Sequence, residues 1–220
     1  MSGGGLANAA TGADPTSMFT GLIEARVSIH SLESQGTGAR LVLERPDFGP
    51  NRRPFEPEMG ESIAISGCCL TLADLVEGRP VFELTHETLG RTWFGEARAG
   101  EVVNVERSLT LMDRLGGHLV SGHVDGVGRL VEKSDSGDGG ALYTFEVPDG
   151  FERYLIEKGS VGIDGISLTV VQPKGRRFDV ALIPETLART SLGASELGSR
   201  IHLEADMVGK WVERLVAPHA

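Results

Sequence analysis

From Met18 to Asp206, apolar residues come in short alternating runs punctuated by glycine and proline, the pattern of half-buried β-strands. Residues 62–65, 81–84 and 102–105 read this way in the first part of the chain, and 142–147, 160–163, 168–171, 178–183 and 201–203 in the second. About six such runs in each part, at roughly 8–12-residue spacing, predict an all-β fold of two tandem six-stranded Greek-key-like barrels, because closing a sheet removes its exposed edges. Two stretches, ETLGRT from Glu87 and ETLART from Glu185, lack strand character and predict a helical turn between strands. The tail has a helical period instead. Val208, Trp211, Val212 and Leu215 fall at i, i+3, i+4 and i+7, one apolar stripe of a C-terminal α-helix, and Asp206 is placed to cap it. With no third domain to cover, that stripe is expected on a second copy of the chain or folded back on its own barrel. Residues 1–17, mostly Gly, Ala, Ser and Thr, have little to bury and are expected to form a disordered leader.

The pattern then repeats itself. The window from Gly67 to Glu106 aligns without a gap on the window from Gly165 to Glu204, a constant offset of 98 positions. Identities include Gly67/Gly165, Leu70/Leu168, Thr71/Thr169, Leu84/Leu182, Glu87/Glu185, Thr88/Thr186 and Glu106/Glu204. The starts also correspond: FTGLIEA from Phe19 resembles VSGHVDG from Val120, with Gly21 against Gly122. So long a period exceeds the roughly 20–50 residues of solenoid units, so it marks a duplicated domain. The halves are placed at 18–116 and 117–206, with 207–220 as helix and tail.

Composition narrows the classes. Glycine accounts for 30 of 220 residues, about twice the usual share, which suits many tight turns. Against 21 Lys and Arg stand 31 Asp and Glu, a net charge of −10, so no nucleic-acid partner is expected. No apolar run approaches the ~18 residues of a membrane span, and the N-terminus lacks the basic-then-apolar order of a secretory signal. The only cysteines are the adjacent Cys68 and Cys69, ill placed for a structural bridge and too few for a Cys-rich zinc site. A reduced, cytoplasmic protein is expected.

Seven motifs, in order, carry a resemblance. MFTGLIE from Met18, GCCLTL from Gly67, ETLGRT, GGHLVSGHVDG from Gly116, KGSVGIDGISLTV from Lys158, LIPETLARTSLG and IHLEAD together resemble riboflavin synthase of the α-type, from Met18 to about Leu215. The internal duplication is also that family's hallmark. The resemblance implies a transferase that dismutates two molecules of 6,7-dimethyl-8-ribityllumazine, one giving a four-carbon unit to the other, to yield riboflavin and 5-amino-6-ribitylaminouracil. It implies no metal and no added cofactor. It further implies a homotrimer whose active site lies between the N-terminal barrel of one subunit and the C-terminal barrel of the next, and association with lumazine synthase. Donor and acceptor are the same molecule, so two related pockets can each hold one. Orientation of such a pair can be worth effective molarities of about 10⁵ M or more. The low aromatic content (5%) argues against a stacking cage.

Carried onto this chain, the resemblance implies catalytic roles for Ser62, Cys69, His123 and Asp206. It assigns Gly21, Leu22, Ile23, Cys69, Leu70, Thr71, Glu83, Leu84, Thr85, His86, Glu87 and Thr88 to the N-barrel pocket, with Gly122, His123 and Val124 opposite. Lys158, Asp164, Ser167, Leu168, Thr169, Ala181, Leu182, Ile183, Pro184, Glu185 and Thr186 make the C-barrel pocket. Each has a plainer reading. Cys69 could be a small core thiol, Ser62 a turn former, Asp206 a helix cap, and the repeated threonines and glutamates barrel architecture. Gly21 and Gly122 permit close backbone approach for a ligand or a turn alike. His123 stands where the first half has Leu22, an asymmetry that fits two sites with different jobs, and an imidazole suits proton transfer near neutrality. His118 is a weaker candidate and Cys68 a core residue. A non-catalytic lumazine- or flavin-binding antenna protein would keep the barrels and lose the catalytic side chains, and a generic tandem-barrel module would need no matched polar set. The joint presence of Ser62, Cys69, His123 and Asp206 favours the enzyme.

Overall fold

The structure, a computed structural model, describes residues 17–50, 53–137 and 139–217; the expected leader, Ser17 apart, and the last three residues of the tail lie outside the described residues. Strands β1 (Ala25–Gln35), β2 (Gly38–Leu43), β3 (Ser62–Ile65), β4 (Cys68–Val76) and β5 (Arg79–Leu84) lead through helix α1 (His86–Arg91) to β6 (Val102–Arg107). All pairings are antiparallel, and the order β1-β2-β5-β4-β3-β6 closes into a barrel. The second half runs β7 (Gly126–Asp135), β8 (Ala141–Glu146), β9 (Ser160–Ile163), β10 (Ile166–Thr169), β11 (Val171–Lys174), β12 (Arg177–Leu182), α2 (Pro184–Arg189) and β13 (Arg200–Ala205), then α3 (Met207–Val216). Its sheet order, β10-β9-β13-β7-β8-β12-β11, repeats the first barrel, with β10 and β11 taking the place of β4.

The predicted run over 168–171 is therefore broken where a continuous strand was expected. The break falls at Val170, and the pairing of β11 with β12 is irregular just beyond it, where Gln172 takes a left-handed φ of 49°. The hydrogen bonds around the break are nonetheless those of the first barrel. Val170 N–H donates to Gly159 O and Val170 O accepts from Lys158 N–H, as Leu72 does with Glu61 and Gly60. The two ETL segments are the short helices predicted. In α1, Thr85 caps the N-terminus by accepting from Thr88 N–H.

Each barrel has its own core. Ile29, Leu41, Ile63, Phe82 and Val103 fill the first, and Leu130, Phe145, Val161, Phe178 and Ile201 the second. Truncating one of these phenylalanines to alanine would cost about 3–5 kcal/mol. The halves also exchange a residue. Ile23, from the first half, is buried in the second core, and Val124, from the second half, packs on the first. Between them, Phe19 and Val120 form an antiparallel bridge and cluster with Ala64 and Cys69. This explains why 62–65, which alternates in sequence, is buried throughout: the outer face of β3 is covered by the entry segments of both halves.

The barrels meet through a second matched set. His202 accepts from Trp93 N–H at Nε2 (3.0 Å) and lies 2.7 Å from Ser66 O at Nδ1. At the position 98 residues earlier, Asn104 accepts from Ser191 N–H at Oδ1 (2.8 Å) and donates from Nδ2 to Asp164 O (2.9 Å). An imidazole and a carboxamide thus make the same pair of bridges. Because Nε2 faces a donor and Nδ1 a carbonyl, His202 is neutral with its hydrogen on Nδ1.

Candidate active site

The hairpin β3–β4 pairs Ser62 with Thr71 and Ala64 with Cys69. Strand alternation sends Ile63, Ile65, Cys68, Leu70 and Leu72 into the barrel, so Ser62, Ala64, Cys69 and Thr71 share the outer face. The hairpin β9–β10 repeats this: Ser160 pairs with Thr169 and Gly162 with Ser167. Each barrel therefore presents one polar outer face, Ser62/Thr71/Cys69 on the first and Ser160/Thr169/Ser167 on the second. Cys68, one residue away, is the wrong thiol for chemistry: it is buried in the core, and burial pushes it up to about 12. Cys69 is half-buried.

Each face is walled by the other half's entry segment. Cys69 N–H donates to Gly122 O at 2.8 Å, and Ser167 N–H donates to Gly21 O at 2.9 Å. Both glycines are left-handed, at φ 78° and 75°, and a Cβ on either would lie 2.5–2.6 Å from atoms of Cys69 or Ser167. A side chain at either position would force wall and hairpin apart. This corrects one sequence expectation. Gly21, Leu22 and Ile23 stand with Ser167 on the C-terminal barrel, while Gly122, His123 and Val124 stand with Cys69 on the N-terminal one.

The two faces differ chemically. His123 is exposed beside the Cys69 face, and the matched position on the Ser167 face holds the half-exposed Leu22. There His118 supplies the imidazole, its Nδ1 2.7 Å from Ser167 Oγ. Burial holds His118 below the usual histidine range, the Asp206 carboxylate partly opposing it. Ser62 Oγ is buried with no hydrogen-bond partner among the described residues. Such a hydroxyl costs about 1–3 kcal/mol unless something satisfies it. Asp206 caps α3, accepting from Val208 N–H at 3.0 Å. With Ser160, Tyr154, Ile156, Val208 and Val212 it lines a cavity of about 430 Å³.

Other expected contact residues sort by exposure. Glu83, Thr85, His86, Glu87, Ala181, Ile183, Pro184 and Glu185 are exposed, and Thr88 and Thr186 half-buried, along the α1 and α2 rims. Glu87 and Glu185 pair with Arg91 and Arg189 one turn on, each at 3.1 Å. Lys158 is exposed at the turn into β9, and Leu168 lies partly buried on the second core. The side chains of Leu70, Leu84 and Leu182 point into the cores, leaving only their backbone for a ligand. Asp164 stands at the barrel junction rather than on the Ser167 face. Its carboxylate accepts from Trp93 Nε1–H (3.0 Å) and His202 N–H (2.8 Å) at the barrel junction, the position that Ser66 fills in the first half. Burial raises it to about 7. The sequence reading missed Glu106 and Glu204 as site-building groups, although their identity across the repeat was visible.

The comparisons with known proteins agree with this geometry. The sequence profile of the lumazine binding domain matches residues 20–108 and again 121–206. Riboflavin synthase of Mycobacterium bovis (strain ATCC BAA-935 / AF2122/97) is 40% identical over 203 residues, covering 90% of this chain and 98% of that one. Riboflavin synthase of Escherichia coli (strain K12) is 38% identical over 205 residues, covering 91% and 94%. Among solved structures, LumP complexed with 6,7-dimethyl-8-(1'-D-ribityl) lumazine superimposes with a TM-score of 0.74 at 20% identity, over 85% of this chain and 98% of that one, a likeness of fold. Two lumazine binding domains and this identity over nine-tenths of the chain place it in the riboflavin synthase family.

Proposed function

We propose that the outer faces of β3–β4 and β9–β10 are the two lumazine pockets of a riboflavin synthase. The activity is a transferase reaction: two molecules of 6,7-dimethyl-8-ribityllumazine give riboflavin and 5-amino-6-ribitylaminouracil by transfer of a four-carbon unit. The observation that carries the assignment is the reciprocal wall. Two hairpins 98 positions apart offer the same polar face, and each is closed by the same Thr/Ser-Gly segment of the other half. Identical substrates call for alike pockets, and the different side chains call for different roles. The N-barrel pocket, with Cys69 and His123, carries the groups able to activate an electrophilic carbon and move a proton. The C-barrel pocket, with Ser167 held by His118, is suited to binding and orientation. Ser62 Oγ gains a partner when the N-barrel pocket is filled.

The pockets of one chain are completed by a second. The apolar stripe of α3 stays exposed, at 61% for Val208, 65% for Trp211, 52% for Val212 and 72% for Leu215. The helix is held on its own barrel by polar contacts, Lys210 to Asp125 (2.6 Å) and Glu213 to Arg153 (3.1 Å) and Tyr154, which turn the stripe outward. That supports a homotrimer, with the N-barrel pocket of one subunit opposite the C-barrel pocket of the next and Asp206 at the junction. Among the described residues no helix is long and apolar enough to cross a membrane. A cytoplasmic location and association with lumazine synthase belong to the same reading.

The test is incubation of the full chain with 6,7-dimethyl-8-ribityllumazine. Appearance of riboflavin's green fluorescence, with release of the pyrimidinedione, is expected. Tight binding without conversion would make the protein an antenna, and no binding would remove the pockets altogether.

A further inference from the structure

Glu106 and Glu204 are buried carboxylates, each 4% exposed, on the last strand of each barrel. Glu106 Oε1 accepts from Thr20 N–H (2.7 Å) and Thr20 Oγ1–H (2.6 Å), and Oε2 accepts from Gly21 N–H (3.0 Å). Glu204 repeats the arrangement: Oε1 accepts from Ser121 N–H (2.6 Å) and Oγ–H (2.8 Å), and Oε2 from Gly122 N–H (2.9 Å). The glycine in each clamp then offers its carbonyl to the opposite barrel, Gly21 to Ser167 and Gly122 to Cys69.

We propose that Glu204, a residue of the C-terminal barrel, is a positioning residue of the N-barrel pocket, and Glu106, of the N-terminal barrel, a positioning residue of the C-barrel pocket. The inference rests on the assignment of the hairpin faces as lumazine sites. Each carboxylate fixes the register of a wall that it does not itself share with the ligand. A three-donor clamp needs acceptors at both oxygens, and only a carboxylate supplies them. A carboxamide would set its own N–H₂ against a backbone N–H, so the Gln variant loses at least one charge-assisted bond and gains a repulsion. The clamped Ser121-Gly122 runs directly into His123 and the clamped Thr20-Gly21 directly into Leu22, so a released wall misplaces the two side chains that distinguish the pockets.

The experiment separates the pockets within one protein. Riboflavin is titrated against the full-length chain while the backbone amide resonances of Cys69 and Ser167 report the N-barrel and C-barrel sites individually. In Glu204→Gln the affinity read at Cys69 is expected to fall on the order of tenfold, the loss of about one charge-assisted hydrogen bond, while that read at Ser167 stays within about twofold. Glu106→Gln is expected to show the reverse. Should either variant fail to fold, Ser121→Ala and Thr20→Ala remove one donor from each clamp and carry the same crossed pattern at smaller amplitude. Equal weakening at both sites, or loss at the carboxylate's own barrel, would mean that the glutamates serve stability alone. If riboflavin moves neither amide in the unaltered protein, it is the assignment of the pockets that fails.

Discussion

His123 and Asp206 are useful to perturb because the structural place of each can be separated from the chemical role proposed for it. The His123 ring is exposed and makes no hydrogen bond among the described residues; its backbone N–H meets Ser121 Oγ, at 3.3 Å. His123→Ala is expected to leave the melting temperature within about 2 °C while kcat falls by about 10²–10⁴, the range for loss of a positioned proton-transfer group; an unaltered kcat would remove it from the mechanism. Asp206 caps α3, and asparagine caps as well as aspartate. Asp206→Asn therefore keeps the helix end, and circular dichroism should show it intact, while turnover drops if the charge is what the reaction uses. A wild-type rate would leave Asp206 as a cap only. At this scale the sequence was a partial guide. The resemblance pointed to Ser62, Cys69 and Thr71, and strand alternation then puts all three on one face of the hairpin. The place of Asp164 at the junction was hidden because its partners, Trp93 and His202, lie 71 and 38 positions away and only the fold brings them together.

Among the elements, α3 makes the sharpest demand. Its outward stripe of Val208, Trp211, Val212 and Leu215 is far more apolar surface than an isolated helix leaves in water without purpose. Trp211→Glu together with Leu215→Glu is expected to lower the mass seen by light scattering toward that of a single 23.4 kDa chain and to abolish turnover, while each barrel keeps its circular dichroism. An unchanged assembly would mean that the stripe meets something other than a second copy. The strands and the two short helices were legible because local alternation and turn residues determine them. The break at Val170 was not, since neither it nor the left-handed Gln172 beyond it leaves a compositional trace. The exchange of Ile23 and Val124 between cores was equally hidden: the two runs look like ordinary members of their own halves, and only the Phe19–Val120 bridge shows that they cross.

The whole molecule depends on how its two barrels are joined, and that joint titrates. Burial pushes His202 down to about 3, and Arg200 adds to the effect, while Asp164, whose Oδ1 lies 3.8 Å from His202 Nδ1, is raised to about 7 by the same burial. The two act oppositely on stability. An unfolded histidine takes a proton near pH 6.5 and the folded one does not until about 3, so between those limits the unfolded chain holds more protons and acid destabilises the fold. The folded Asp164 keeps its proton up to about pH 7 where the unfolded one loses it near 3.8, so acidification through that window stabilises. The wild-type profile is thus flattened by cancellation. His202→Asn isolates one arm, because Asn104 already makes the same pair of bridges at the matched position and shows that a carboxamide can bridge the barrels. The variant forfeits the stacking of His202 on Trp93, 5.0 Å between centroids, so it is less stable at pH 7.5. Its deficit is expected to shrink by about 1.6 kcal/mol between pH 6.5 and 5, the proton uptake that only the histidine protein suffers on unfolding. Urea midpoints for both proteins across that range decide it. Parallel curves would mean that folding does not lower the proton affinity of His202 and that its Nε2 is not held as the acceptor for Trp93 N–H.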